Sequence, residues 1–210
     1  MGFEHRIESV EELRTLIAPP EPPAAHKDVD RLDVHCRTFI ANAPFVVLAS
    51  AGADGTLDAS PRGGAPGFVR VLDDKRLAMP DYPGNRRLDS WSNVLATKHV
   101  QLIFFIPGVL ETLRVSGRAC LTRDPAVLAL FDERGKPPKL ALGVDVDVAF
   151  LQCGKSLKRS ALWDPASWPA REVVPTAARI FADHIALPGI TEEAAVEHLT
   201  HDYQDNLWPR

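Results

Sequence analysis

The chain has 210 residues, 45% hydrophobic and 25% charged, the balance of an ordinary folded protein with room for one core and some helical additions. A formal net charge of −4 excludes a general electrostatic pull toward nucleic acid or an anionic membrane surface. Any anion this protein holds therefore needs a local basic cluster.

In chain order, Ser9-Val-Glu-Glu12 is a capping box that opens a short amphipathic helix ending near Ile17. Ala18-Pro-Pro-Glu-Pro-Pro23 cannot continue that helix and reads as a stiff extended connector. A second helix is expected over residues 30–41, with Leu32, Cys36, Phe39 and Ile40 on one face. The pattern then changes to strands. Residues 45–50 and 56–60 form a hairpin around Gly52-Ala-Asp-Gly55, and residues 67–72 and 76–79 another around Asp73-Asp74. A helix over 86–96 leads to strands at 100–106 and 111–122, joined at Pro107-Gly108. Asp124-Pro125 caps a short helix reaching Phe131. Residues 141–151 alternate Leu142, Val144, Val146, Val148 and Phe150 against Asp145 and Asp147, the mark of a half-buried strand. Helices at 155–161, 176–187 and 191–203 complete the chain.

Short hairpins with one helical crossover predict a mainly β protein, a six-stranded antiparallel barrel with helices packed outside. Residues 1–44 are the expected helical extension and connector, 45–165 the barrel, and 166–210 a helical extension packed on it. The longest apolar runs, such as 102–106, are too short to span a bilayer, and residues 1–16 lack the apolar stretch of a signal peptide. Cys36, Cys120 and Cys153 fit no zinc spacing, and their odd, low count favours reduced thiols and a cytoplasmic setting.

Three segments carry the chemistry. Ser60-Pro-Arg-Gly-Gly-Ala-Pro-Gly67 combines a hydroxyl, a guanidinium and small residues that let a ligand approach the backbone. Taken alone, it reads as readily as a flexible loop with a solvated arginine. Pro80-Asp-Tyr-Pro-Gly-Asn-Arg-Arg87 sets Arg86 and Arg87 where a helix is expected to begin, against the helix dipole. A bound anion would offset that penalty, which makes Asn85, Arg86 and Arg87 a candidate phosphate cradle; a solvated helix face is the alternative. The densest basic stretch, Lys155, Lys158 and Arg159, follows the last strand, with Trp163 beyond it. Lys155 and Arg159 share a helix face, positioned for a phosphate, a ring edge, a partner subunit or solvent.

From Leu57 to Pro165, the sequence resembles the FMN-binding split-barrel proteins related to pyridoxamine 5′-phosphate oxidase. The likeness rests on Ser60-Pro-Arg-Gly63, Gly67-Phe-Val-Arg-Val-Leu72, Pro80-Asp-Tyr-Pro-Gly-Asn-Arg-Arg-Leu-Asp-Ser90, Val100-Gln-Leu-Ile-Phe-Phe-Ile-Pro-Gly108, Glu111-Thr-Leu-Arg-Val-Ser-Gly-Arg118 and Cys153-Gly-Lys155 with Arg159-Ser-Ala-Leu-Trp-Asp-Pro165. The resemblance implies a split barrel and a homodimer with FMN at the subunit interface. It further implies that Arg86 and Arg87 hold the FMN phosphate, with Arg70, Ser60 and Arg62 beside it. Gln101 would contact the ribityl chain or ring, and Lys155, Arg159 and Trp163 the flavin of the other subunit.

The oxidase itself closes with an Arg-x-His motif that grips pyridoxamine phosphate, whereas this chain reads His201-Asp-Tyr-Gln-Asp-Asn-Leu-Trp-Pro-Arg210, so a different small-molecule substrate is expected. No nucleophile–base pair, Walker loop or GxGxxG fingerprint occurs, and no catalytic side chain stands out. His198 and His201, three apart, read as a solvated helix end rather than a metal site. Trp91, Trp163 and Trp168 read as packing residues, and Cys153 as a buried, inert thiol. The resulting expectation is an FMN-dependent oxidoreductase; the alternative is a non-catalytic carrier or sensor of flavin, heme or a deazaflavin.

Overall fold

The computed structural model of the chain describes residues 2–132 and 136–209. It begins with helices α1 (Val10–Leu16), α2 (Pro22–Ala25) and α3 (Val34–Asn42). Strands β1 (Phe45–Ala51), β2 (Leu57–Gly63), β3 (Arg70–Val71) and β4 (Arg76–Pro80) follow, then α4 (Asp89–Thr97). Next come β5 (His99–Phe105), β6 (Thr112–Thr122), α5 (Pro125–Leu128), β7 (Ala141–Gln152), α6 (Lys155–Ser160), α7 (Ala177–Ile185) and α8 (Glu192–Asp205).

All seven strands join one antiparallel sheet in the order β2-β1-β5-β6-β7-β4-β3. The sheet thus has one strand more than the six expected of the barrel, and each of the seven segments with a strand pattern in the sequence forms one, β3 and β4 lying either side of the turn at Asp73. β2 and β3 are the sheet edges, and no ladder joins them among the described residues. The architecture is mainly β with flanking helices.

Strict alternation places Val46 and Leu48 of β1, Leu102 and Phe104 of β5, and Leu113 and Val115 of β6 on one buried side of the sheet. Leu32, Cys36 and Ile40 of the α3 region and Trp91 and Val94 of α4 close over that side to make the main core. Burial and the nearby Asp33 carboxylate push the Cys36 thiol up to about 11, which leaves it protonated and unreactive. A smaller cluster lies elsewhere, where Phe131 packs on Ala78 and Ala141. Gly117 marks a bulge between β6 and β7: a Cβ there would stand 2.1 Å from the Asp145 carbonyl oxygen, so only glycine permits the approach.

Several element boundaries differ from expectation. The helix expected over 30–41 starts at Val34, because the Asp33 carboxylate accepts hydrogen bonds from the His35 and Cys36 amides and caps it there. The proline connector is not wholly extended, since Pro22 occupies the first turn of the four-residue α2, a position prolines tolerate. The strand expected over 67–72 shrinks to Arg70–Val71, while β2 runs on to Gly63 and absorbs Ser60 and Arg62 into the sheet. Cys153 is exposed, not buried.

At the chain ends, α1 has no buried residue. Helices α7 and α8 pack against each other, with Thr176 Oγ1 donating to Glu192 at 3.0 Å, and Trp208 meets Tyr82 edge-on at 5.3 Å. No helix among the described residues is long and apolar enough to cross a membrane.

Candidate functional site

Strand alternation turns Asp58, Ser60 and Arg62 of β2 to the same side as Ser50, Leu48 and Val46, their partners on β1. This side lies beneath α4, whose first turn brings Ser90 and Trp91 onto them. Ser90, only 3% exposed, donates its hydroxyl to Asp58 Oδ2 at 2.5 Å and accepts from Arg62 Nη2 at 3.2 Å. The guanidinium carbon of Arg62 lies 4.6 Å from the Trp91 ring centroid, a cation–π geometry. Trp91 Nε1 donates to Asp81 Oδ1 at 3.2 Å, and the same oxygen lies 4.0 Å from Arg62 Nη1.

The electrostatics of this cluster are incompletely balanced. Burial holds Arg62 below its ordinary value, against the opposing pull of Asp81 and Asp58. Burial also lifts Asp81 above the usual carboxylate range, outweighing the Trp91 hydrogen bond and the Arg62 charge. A 4.0 Å ion pair between groups about a quarter exposed does not compensate either partner's loss of water. In addition, Arg62 Nε is buried and has no hydrogen-bond partner among the described residues. An unmet guanidinium N–H fits an anionic group such as a phosphate.

The loop after β4 departs from the expected cradle. The helix expected from Arg86 begins at Asp89, because Arg86 and Leu88 take left-handed backbone conformations (φ 61° and 64°) that interrupt any helix. Asn85 spends its side-chain oxygen on the Arg87 amide at 3.0 Å, forming a local turn. Arg87 is already paired, its Nε 2.7 Å from Asp89 Oδ2, and this contact with Asp89 raises its pKa. Arg87 and Asp89 line a cleft of about 340 Å³ with Thr56, Leu57, Asp58, Ser92 and Asn93, so two carboxylates oppose one guanidinium there. Arg86 is exposed and makes no ion pair among the described residues.

The remaining expected site residues lie elsewhere on the chain. Arg70 sits on β3 opposite Ala78 and opens into a separate cleft with Arg37. Gln101 is on the opposite side of the sheet from Arg62, where its Nε2 donates to Ser116 Oγ at 3.0 Å. Lys155 and Arg159 are exposed on α6, and Trp163 donates its indole N–H to the Val109 carbonyl at 2.8 Å, tying the segment after α6 to the β5–β6 turn. Arg62 thus meets α4, with Ser60 on the same side of β2, while Arg70, Gln101 and the α6 group occupy other parts of the protomer. Asp58, Ser90, Trp91 and Asp81 complete the Arg62 network yet were not expected as site residues. Only Asp58, in step with Ser60 and Arg62 at every second position, carried a sequence signal for this. No group of histidine, cysteine and carboxylate side chains suited to a metal occurs among the described residues.

The fold and these arginine-bearing clefts define a mainly antiparallel β protein with flanking helices. Residues 32–153, more than half of the chain, match the family model for pyridoxamine 5′-phosphate oxidase, and the chain belongs to that family. Similar solved structures include HupZ of Group A Streptococcus, at 19% identity over 58% of this chain and 94% of that one, with a TM-score of 0.47. A putative pyridoxamine 5′-phosphate oxidase of Lactobacillus delbrueckii matches at 20% identity over 59% of this chain and 98% of that one, with a TM-score of 0.45. The heme storage protein HutZ of Vibrio cholerae matches at 15% identity over 59% and 94%, with a TM-score of 0.42. No curated protein sequence matches the chain.

Proposed function

We propose that this protein binds FMN as a homodimer and acts as an oxidoreductase on a small molecule. The observation that carries the reading is the unmet, buried Nε of Arg62 in a chain of the pyridoxamine 5′-phosphate oxidase family. On this reading Arg86 and Arg87 hold the phosphate, and Arg70, Ser60, Arg62 and Asn85 lie near it. Arg87 then exchanges part of its contact with Asp89 for the ligand. Gln101 contacts the ribityl chain or ring, and Lys155, Arg159 and Trp163 reach the flavin bound mainly by the other subunit.

FMN supplies, when bound, the electron-transfer chemistry that protein side chains lack. The chain's own part is to anchor the phosphate, orient the ring and set the polarity around it. Dimerisation has its own physical support. The side of the sheet away from the core carries half-buried Val47 and Ala49 of β1 beside Ile103 of β5, and a second copy would remove that apolar surface from water. Free Cys36, Cys120 and Cys153 fit a reducing, cytoplasmic setting. Residues 45–165 form the cofactor-binding barrel, with 1–44 and 166–210 as helical additions.

The test is the visible absorption spectrum of the freshly purified protein, followed by identification of the cofactor released on heating. Flavin bands and free FMN are the expected result. A colourless protein that also fails to bind added FMN overturns the reading, and a Soret band in place of flavin bands moves it to heme. Reduction by NAD(P)H or a screened substrate, followed by reoxidation, separates an enzyme from a carrier.

A further inference from the structure

We infer that the cleft between α3 and β3 is an anion site in which Arg37 joins Arg70 to bind a phosphate group. The cleft encloses about 310 Å³ and is lined by Arg37, Ile40 and Ala41 of α3 and by residues 66, 67 and 69–71. Arg37, Ile40 and Ala41 share a helix face by their spacing of three and four. Facing them, Arg70 opens β3 from the other wall.

Charge distinguishes this cleft from the one beside Arg87. Its lining residues include two arginines, both exposed, and no carboxylate. Elsewhere in this net-acidic chain, Arg62, Arg76, Arg87 and Arg179 each face an aspartate within 4.0 Å. The Arg70 side chain has no hydrogen bond or ion pair among the described residues, its backbone being paired with β4. Arg37 uses only its Nε, which donates to the Leu32 carbonyl at 2.9 Å. That bond fixes the direction of the guanidinium and leaves its two terminal nitrogens for a ligand. Two like charges lining one cleft repel each other, and a bridging anion removes the repulsion.

The turn before β3 lies close against the end of α3. Gly67 has φ 78°, and a Cβ there would stand 2.9 Å from the Ala41 carbonyl oxygen, so a side chain at this position would strain the turn and drive it against α3. The volume also limits the ligand. A space near the lower end of the ~300–1,000 Å³ usual for small-molecule sites admits a phosphate and a few attached atoms, not a whole flavin. Planar guanidinium forks suit phosphate oxygens in bidentate fashion. The inference stands on this cleft alone and does not rest on the flavin reading. The phosphate has two possible sources, the end of an FMN molecule lying mostly outside the cleft or a separate phosphate-bearing ligand.

The test is calorimetric titration of the full chain with inorganic pyrophosphate at constant ionic strength, before and after saturation with FMN. Saturable binding is expected, weakened roughly tenfold or more in Arg37→Gln and in Arg70→Gln, as loss of a charge-assisted hydrogen bond predicts. Arg123→Gln, an exposed arginine outside the cleft, should bind as the parent does. Circular dichroism checks that the variants fold. Competition by FMN assigns the site to the flavin phosphate, and undiminished binding in its presence assigns it to a separate ligand. Absence of saturable binding, or affinity unchanged in both cleft variants, overturns the inference. Flavin absorbance is read independently, so a protein that binds pyrophosphate but not FMN, or FMN but not pyrophosphate, shows which of the two readings fails.

Discussion

Arg62 lies over Trp91, its guanidinium carbon 4.6 Å from the ring centroid, and so joins edge strand β2 to the first turn of α4. Ser90 reinforces the link by bridging Arg62 and Asp58, and Asp81 accepts from the Trp91 indole. Helix α4 is therefore seated on the sheet by a polar and aromatic cluster as well as by Val94 in the core.

Arg62→Ala removes the stacking contact and leaves Asp81 without its cation. The expected loss is about 2 kcal/mol, the sum of a cation–π contact and a charged hydrogen bond at a partly exposed site. For a chain of this size that corresponds to a fall in Tm of roughly 4–8 °C. Arg62→Lys, which keeps the charge but not the planar group, should fall between the two. Thermal unfolding followed by circular dichroism makes the comparison, and an unchanged Tm in Arg62→Ala would show that the cluster does not hold α4.

Asp81 gives a pH-dependent prediction. Its pKa is raised in the folded state, first by burial, so the folded chain favours the protonated acid. The associated stability is fully present below the ordinary value of 3.8 and is lost as pH rises through the higher folded value. Asp81→Asn retains an oxygen to accept from Trp91 and cannot ionise. At pH 7 it should be as stable as the parent or more so, and the parent should gain on it as pH falls toward 3.8. Urea midpoints across that range test the sign; a variant less stable at pH 7 would show that the Arg62 pair outweighs burial.

Hydrophobic alternation made most of the strands legible in the sequence, because β1, β5, β6 and β7 each bury one side and a period of two survives in their residues. The short β3 carried no such period, and its pairing with β4 depends on the turn at Asp73. Local chemistry also marked the N-caps Ser9 and Asp124, which accept a backbone N–H three and two residues on. The start of α4 was not legible, because it depends on two left-handed residues, Arg86 and Leu88, of types that rarely adopt that conformation. Basic residues were visible as types but not their polar and acidic neighbours: Asp81 and Ser90 reach Arg62 from 19 and 28 positions away in the chain. Arg37 read simply as part of a helix, since only the fold brings it opposite Arg70.

Asp33 supplies a second test with the opposite sign. Its carboxylate caps α3, and the Cys36 amide, as the largest contributor, holds its pKa below the ordinary 3.8. The contribution is present above 3.8 and disappears as pH falls through the lower folded value. Asp33→Ala should cost about 1 kcal/mol at pH 7, with a smaller difference in strong acid, and Asp33→Asn should recover most of the loss. Because α3 carries Arg37, pyrophosphate affinity should weaken in Asp33→Ala along with stability. Denaturant unfolding at pH 7 and in acid checks the first part; a cost that does not shrink in acid would remove the carboxylate from the account.

Ile103 tests the proposed dimer apart from any cofactor. It sits on the outer side of β5, opposite Val47 of β1 and Arg114 of β6, and is only half-buried in the single chain. Arg114 Nε beside it is buried without a hydrogen-bond partner among the described residues, a group that a polar atom from a second copy would satisfy. Ile103→Lys puts a charge on this outer surface, opposite the like charge of Arg114, without touching Leu102 or Phe104 in the core. Within one protomer the effect on stability should be small, because the side chain stays within reach of water. Across a dimer interface two such charges would meet an apolar surface, and association should weaken by at least tenfold, since an uncompensated interfacial charge costs several kcal/mol. Light scattering coupled to size exclusion reads the outcome directly: a dimeric parent and a monomeric, folded variant are expected, and a variant that remains dimeric would move the interface to another surface.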